Sequence, residues 1–127
     1  MDEILKKLVN IEKSYAEAFN QKDIDTILDY FDPDISGFSS TRHKRFNGKE
    51  ELRKTFEYYM SEADDVRFEI SEPEVSRFGD IGILNFYWKV LLKNGSKSQE
   101  IPGRGTHVYQ KSGDSWHIVH EHFSKAH

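Results

Sequence analysis

Arg104-Gly105-Thr106-His107-Val108-Tyr109-Gln110 and Trp116-His117-Ile118-Val119-His120-Glu121-His122-Phe123-Ser124 stand on either side of Ser112-Gly113-Asp114. Both runs are rich in β-branched and aromatic residues, and the small polar triplet between them is a turn signal, so the pattern predicts an antiparallel hairpin. Upstream, Ile81 to Leu92 reads as a long strand with Leu84, Phe86, Trp88 and Val90 on one face, and Asn94-Gly95 turns it towards the hairpin. Before it, Val66, Phe68 and Ile70 alternate with Arg67, Glu69 and Ser71. Pro73 cannot donate to a ladder, which predicts an edge or a bulge before the chain resumes at Val75 and turns at Gly79-Asp80.

The first half has a different period. Ile4, Leu8, Ile11, Tyr15 and Phe19 recur every three or four residues, one stripe of an amphipathic helix. Asp23 can cap a second helix carrying Ile24, Ile27, Leu28 and Phe31 inward, with Pro33 as its stop. Ile35 to Ser40 reads as a short strand and Thr41 to Asn47 as a polar, basic loop. Asn47 or Gly48 then opens a third helix whose apolar stripe is Leu52, Phe56, Tyr59 and Met60. Helices first and antiparallel strands afterwards give an α+β fold with helices covering one face of a curved sheet. A length of 127 residues fits one hydrophobic core and a single domain over 1–127.

Composition narrows the function classes. Eighteen Lys and Arg against 22 Asp and Glu give a net charge of -4, so bulk attraction to nucleic acid or anionic membrane is not expected. Without cysteine there are no disulfides, thiol nucleophiles or thiolate metal sites, and a cytoplasmic location is the default expectation. No apolar run approaches the ~20 residues needed to cross a bilayer, and Met1-Asp2-Glu3 lacks the basic start of a signal peptide. Gly-rich phosphate loops, Gly-x-Ser-x-Gly elbows and His-Glu-x-x-His motifs are missing, so no cofactor is expected.

The closing hairpin resembles that of SnoaL-like domains in the nuclear transport factor 2-like superfamily. It looks especially like the association (hub) domain of calcium/calmodulin-dependent kinase II and its free-standing bacterial relatives, where a Trp-x-Ile-Val-His-x-His-x-Ser strand also occurs. Tyr15 on the first helix, Asp23 eight positions later and Pro33-Asp34 after the second helix agree with that likeness. The resemblance implies a cone-like, cystatin-like roll whose antiparallel sheet wraps around N-terminal helices and encloses a pocket. Such folds host isomerases, dehydratases, cyclases and pure assembly modules, so fold does not choose function.

Ketosteroid isomerases, similar in fold, use a Tyr on the first helix and two Asp residues. Here Tyr15 matches the first, but the base position falls at about Ser39 and the late acid at Thr106 or His107, which disfavours that reaction. In the hub-like relatives, arginines line a carboxylate-binding pocket at positions matching Trp88, His107 and Phe123; their replacement here implies a more apolar, aromatic pocket.

Within the hairpin, pairing Gln110 with Trp116 makes His107 and Glu121 diagonal neighbours on one face, a carboxylate beside an imidazole able to act as general base. The balance of burial and charge would then put His107 near neutral pH. Tyr15 becomes the polarising donor. Phe38, Trp88, Tyr109 and Phe123 are the expected walls of a small-molecule pocket. On the opposite face the same register gathers Arg104, Thr106, Trp116, Ile118, His120 and His122, predicting a sheet patch that a second copy covers in a homodimer or larger ring. His120 and His122 share the spacing of metal ligands, but no third ligand is identifiable and no metal is expected. Arg42, His43, Lys44 and Arg45 read as a solvated loop, or as a basic run steering an anion to the pocket mouth. Two readings follow: a cofactor-independent isomerase, dehydratase or cyclase using the Glu121-His107 pair, and a non-catalytic binding or assembly module in which the same residues hold the fold.

Overall fold

In the computed structural model, which describes residues 3–126, the helices come first and are followed by a mostly antiparallel ladder. Helix α1 spans Glu3–Asn20, α2 Ile24–Leu28 and α3 Gly48–Ser61. The strands are β1 Phe31–Phe38, β2 Phe46–Asn47, β3 Asp65–Phe78, β4 Ile81–Asn94, β5 Lys97–Ser112 and β6 Ser115–Lys125. They form one six-stranded sheet in the order β2-β1-β6-β5-β4-β3, with α1 against β3 and α3 against β1. Of the start read for export signals, Met1 and Asp2 lie outside the described residues, as does His127. No described helix is long and apolar enough to cross a membrane.

The expected α+β architecture stands, and local chemistry explains most of its punctuation. Asp23 caps α2 by accepting from the Thr26 backbone N–H at 3.3 Å. Gly79, Gly95 and Gly113 each take positive φ at the three hairpin turns, a conformation that costs a residue without Cβ little. Strand β3 is the sheet edge, and its register shifts between Ser71 and Glu74, on either side of Pro73.

Four expectations are corrected. Phe31 does not end α2; it opens β1 opposite Ile118, and Pro33 lies inside that strand where the register with β6 is broken, so its missing N–H forfeits no ladder bond. The β1–β6 pairing is parallel, which makes the sheet mixed rather than wholly antiparallel. The 41–47 loop ends in a buried anchor, Phe46, which pairs with Gly37 as part of β2.

The fourth correction concerns the hairpin register. Near the turn Gln110 faces His117, not Trp116; beyond a shift at Val108/Tyr109, His107 faces Glu121 directly. Val119 is the extra residue, a β-bulge, and it reverses which face the following side chains take. Trp116 and Ile118 therefore turn into the core together with Glu121 and Phe123. Trp116 packs beside Ile4 and Leu8 over Gly82, with the Arg77 guanidinium 5.5 Å from its ring centroid. The exposed Trp116–Ile118 patch expected to seat a second copy does not exist.

Candidate active site

One buried polar cluster interrupts the core between α1 and the closing hairpin. The α1 stripe brings Ile4, Leu8, Tyr15 and Phe19 inward, but at its centre Glu12 is fully buried while Ile11 is only partly so. The inward, odd-numbered positions of β5 supply His107 and Tyr109, and the bulge in β6 aims Glu121 the same way. His107 Nδ1 lies 2.6 Å from Glu12 Oε2, and Nε2 lies 2.6 Å from Glu121 Oε1. Tyr109 donates its hydroxyl to Glu12 Oε2 at 2.6 Å.

A carboxylate only accepts, so filling both hydrogen bonds requires a proton on each imidazole nitrogen. The geometry thus describes an imidazolium between two carboxylates. Burial opposes that charge, but the attraction and hydrogen bond of Glu12, joined by those of Glu121, override it and push His107 up to about 10. The expectation of a titration near neutral pH is corrected, because it counted one carboxylate and there are two. Aromatic rings complete the shell: Phe86 and Phe123 sit 5.4 and 5.3 Å from the imidazole centroid and help to bury it fully.

On the far side of Glu121 a small cavity opens among Tyr15, Phe19, Phe56, Phe68, Trp88 and Phe123, with Ser39, Thr55 and Tyr59 as further polar wall. Its volume is about 20 Å³, room for roughly one water. Tyr59, Trp88 and Val90 are shared with a cleft of about 250 Å³ that continues past Tyr58, Leu92 and Ile101. Trp88 reaches the wall because Gly103 leaves room under its indole, where a Cβ would collide with the ring, and its N–H donates to Arg104 O at 2.9 Å. Burial, followed by the nearby charges of Glu121 and Glu12, raises the Tyr15 hydroxyl well above its ordinary range, so it stays a donor.

Of the residues expected at the site, Tyr15, Trp88, Glu121 and Phe123 converge on the cavity. His107 and Tyr109 share the covered face but lie behind the wall and do not border the cavity. Phe38 does not border this cavity: it is half-buried beside His122, 5.4 Å between centroids, with Arg45 5.2 Å from its ring centroid. Arg104, Thr106, His120 and His122 occupy the outer face as expected, without Trp116 and Ile118. Glu12 was not foreseen, although its place four residues after Leu8 and three before Tyr15 is the signal that marks it.

A family profile for the SnoaL-like domain matches residues 9–127. Among solved structures, the chain is similar to the S. rosetta CaMKII hub, with 21% identity, a TM-score of 0.85, and 99% of both chains covered. It is also similar to an NTF2-like protein of unknown function from Pseudomonas putida KT2440, at 23% identity and TM-score 0.84, covering 95% of this chain and 85% of that one. A third similar structure is a candidate dehydratase of the NTF2-like family from Streptomyces avermitilis, at 16% identity and TM-score 0.84, covering 97% and 96%. No curated protein matches.

Proposed function

The chain belongs to the SnoaL-like domain family, and from that premise we propose that it binds a small, largely apolar or aromatic molecule in the cleft beside Trp88, with one polar group of that molecule reaching Glu121 and Tyr15. The observation that carries this reading is a buried carboxylate, Glu121, on the wall of a mostly aromatic cavity that shares Tyr59, Trp88 and Val90 with a roomier cleft. His107 fixes one oxygen of Glu121 and neutralises much of its charge, so the carboxylate accepts a hydrogen bond from the ligand with little desolvation cost. Tyr15 donates to a carbonyl or hydroxyl oxygen of the same ligand.

The same pair fits cofactor-independent chemistry of the isomerase, dehydratase or cyclase type, and the similarity to a candidate dehydratase supports that class. In this scheme Glu121 takes the proton and Tyr15 polarises the oxygen. His107 is a positioning residue: with both nitrogens committed to carboxylates and its proton held well above neutral pH, it does not serve as base. Titration of the ¹⁵N-labelled protein with a set of phenols and aromatic ketones, followed in protein-observed NMR spectra, tests the reading. Binders should perturb the amides of Tyr59, Trp88 and Glu121 and lose affinity in Glu121→Gln and Tyr15→Phe. Binders that map elsewhere, or are indifferent to both variants, would overturn it.

A second reading, assembly of copies through the outer sheet face, is supported by Tyr87, 53% exposed above the groove formed with Arg104, Thr106 and His122, and by the likeness to a hub domain. Sedimentation of wild type and Tyr87→Glu distinguishes it: a dimer or ring that the variant dissociates is expected, and a wild-type monomer contradicts it.

A further inference from the structure

The basic segment after β1 forms a cleft that the ligand reading does not use. Arg42, Lys44 and Arg45 approach Lys54 of α3 around a space of about 160 Å³, and the floor carries the hydroxyl-bearing side chains of Ser39 and Thr55. All four cationic residues are exposed, and among the described residues no carboxylate forms an ion pair with any of them. The single carboxylate on the wall, Glu51, accepts from the Asn47 backbone N–H at 2.8 Å and so is occupied at the start of α3. Arg45 is steadied by the Phe38 ring, which limits the freedom it would lose on binding an anion. Four positive charges face one negative charge across a space that takes a tetrahedral oxyanion, in a chain whose net charge is -4. So local an excess against the sign of the whole molecule concentrates anions at this one place.

We propose that this cleft is a binding site for the phosphoryl group of a small phosphate monoester. A dianion gains more from the cluster than a carboxylate does, and arginine matches phosphate oxygens with paired N–H donors. Ser39 and Thr55 also line the inner cavity, so the two spaces meet at these side chains. The site does not depend on the inner cavity binding a ligand, and it stands or falls separately.

Titration of the ¹⁵N-labelled protein with inorganic phosphate, phenyl phosphate, acetate and chloride at matched ionic strength tests the proposal. Both phosphates should give saturable amide shifts over 39–47 and at Lys54 and Thr55, whereas acetate and chloride should not. Arg42→Gln combined with Lys54→Gln, two exposed side chains without partners in the fold, should weaken phosphate about tenfold or more. Glu121→Gln should leave inorganic phosphate binding unchanged, which separates this site from the inner one. Shifts reproduced by chloride, or unaltered by the double variant, overturn the proposal. So does tighter retention of a single-stranded RNA oligonucleotide than of phenyl phosphate, which would make the patch a nucleic-acid contact.

Discussion

Replacing Glu12 by Gln removes the charge that does most to hold the cluster together while keeping the side chain's shape. Glu12 is fully buried and takes two short hydrogen bonds, from His107 Nδ1 and from the Tyr109 hydroxyl, each at 2.6 Å. Charge-assisted hydrogen bonds contribute about 1.5–3 kcal/mol each, and removing one partner of a buried ion pair costs about 3–5 kcal/mol. Gln still offers Tyr109 an acceptor, and the imidazolium keeps Glu121, so the expected loss lies at the lower end, about 2–3 kcal/mol. Against a typical total of about 5–15 kcal/mol this is a large fraction. Urea unfolding at neutral pH, followed through Trp88 and Trp116 fluorescence, should show the midpoint falling by about 1 M with an unchanged slope. A loss below about 0.5 kcal/mol would be the size of an ordinary surface substitution, and would mean that Glu12 is not the charged partner described here.

Three further outcomes are expected. Because His107 holds its proton up to about 10 in the native state against 6.5 ordinarily, its stabilising contribution is complete below 6.5 and is lost as pH rises towards 10. Thermal melts across that window should lose at most ~1.4 kcal/mol per pH unit from this group, and His107→Gln should flatten the slope. In Glu121→Gln the His107 titration should move down, since one of two carboxylates is gone; an unmoved titration would deny the Nε2 contact. Gly103→Ala forces a methyl into the Trp88 ring and the Ser124 carbonyl, so a destabilisation of about 1–3 kcal/mol with altered Trp fluorescence is expected, and a neutral result would contradict the packing.

What the sequence made legible was local. The glycine turns at 79, 95 and 113, the Asp23 cap and the Pro73 irregularity each follow from one residue's backbone chemistry. The inward set of β4 follows from strict alternation of Leu84, Phe86, Trp88 and Val90. What stayed hidden was set by tertiary pairing. One extra residue at Val119 moves His107 from diagonal to directly opposite Glu121 and turns Trp116 and Ile118 from surface to core. Phe31 continues an apolar helical spacing, but its strand partner lies at Ile118, far along the chain. Glu12 was masked by Ile11, since either residue completes an amphipathic stripe and only the carboxylate's partners on β5 favour it. Without Glu12, a His beside a single Glu reads as a base; with it, the same imidazole is a fixed cation.

Whether His107 is that cation is read from ¹⁵N NMR of its ring nitrogens from pH ~5 to ~10. Both nitrogens should be protonated through neutral pH, with slowly exchanging N–H signals to Glu12 and Glu121 and a titration close to the upper limit of the range. A neutral ring at pH ~7, titrating near its ordinary value, would contradict it.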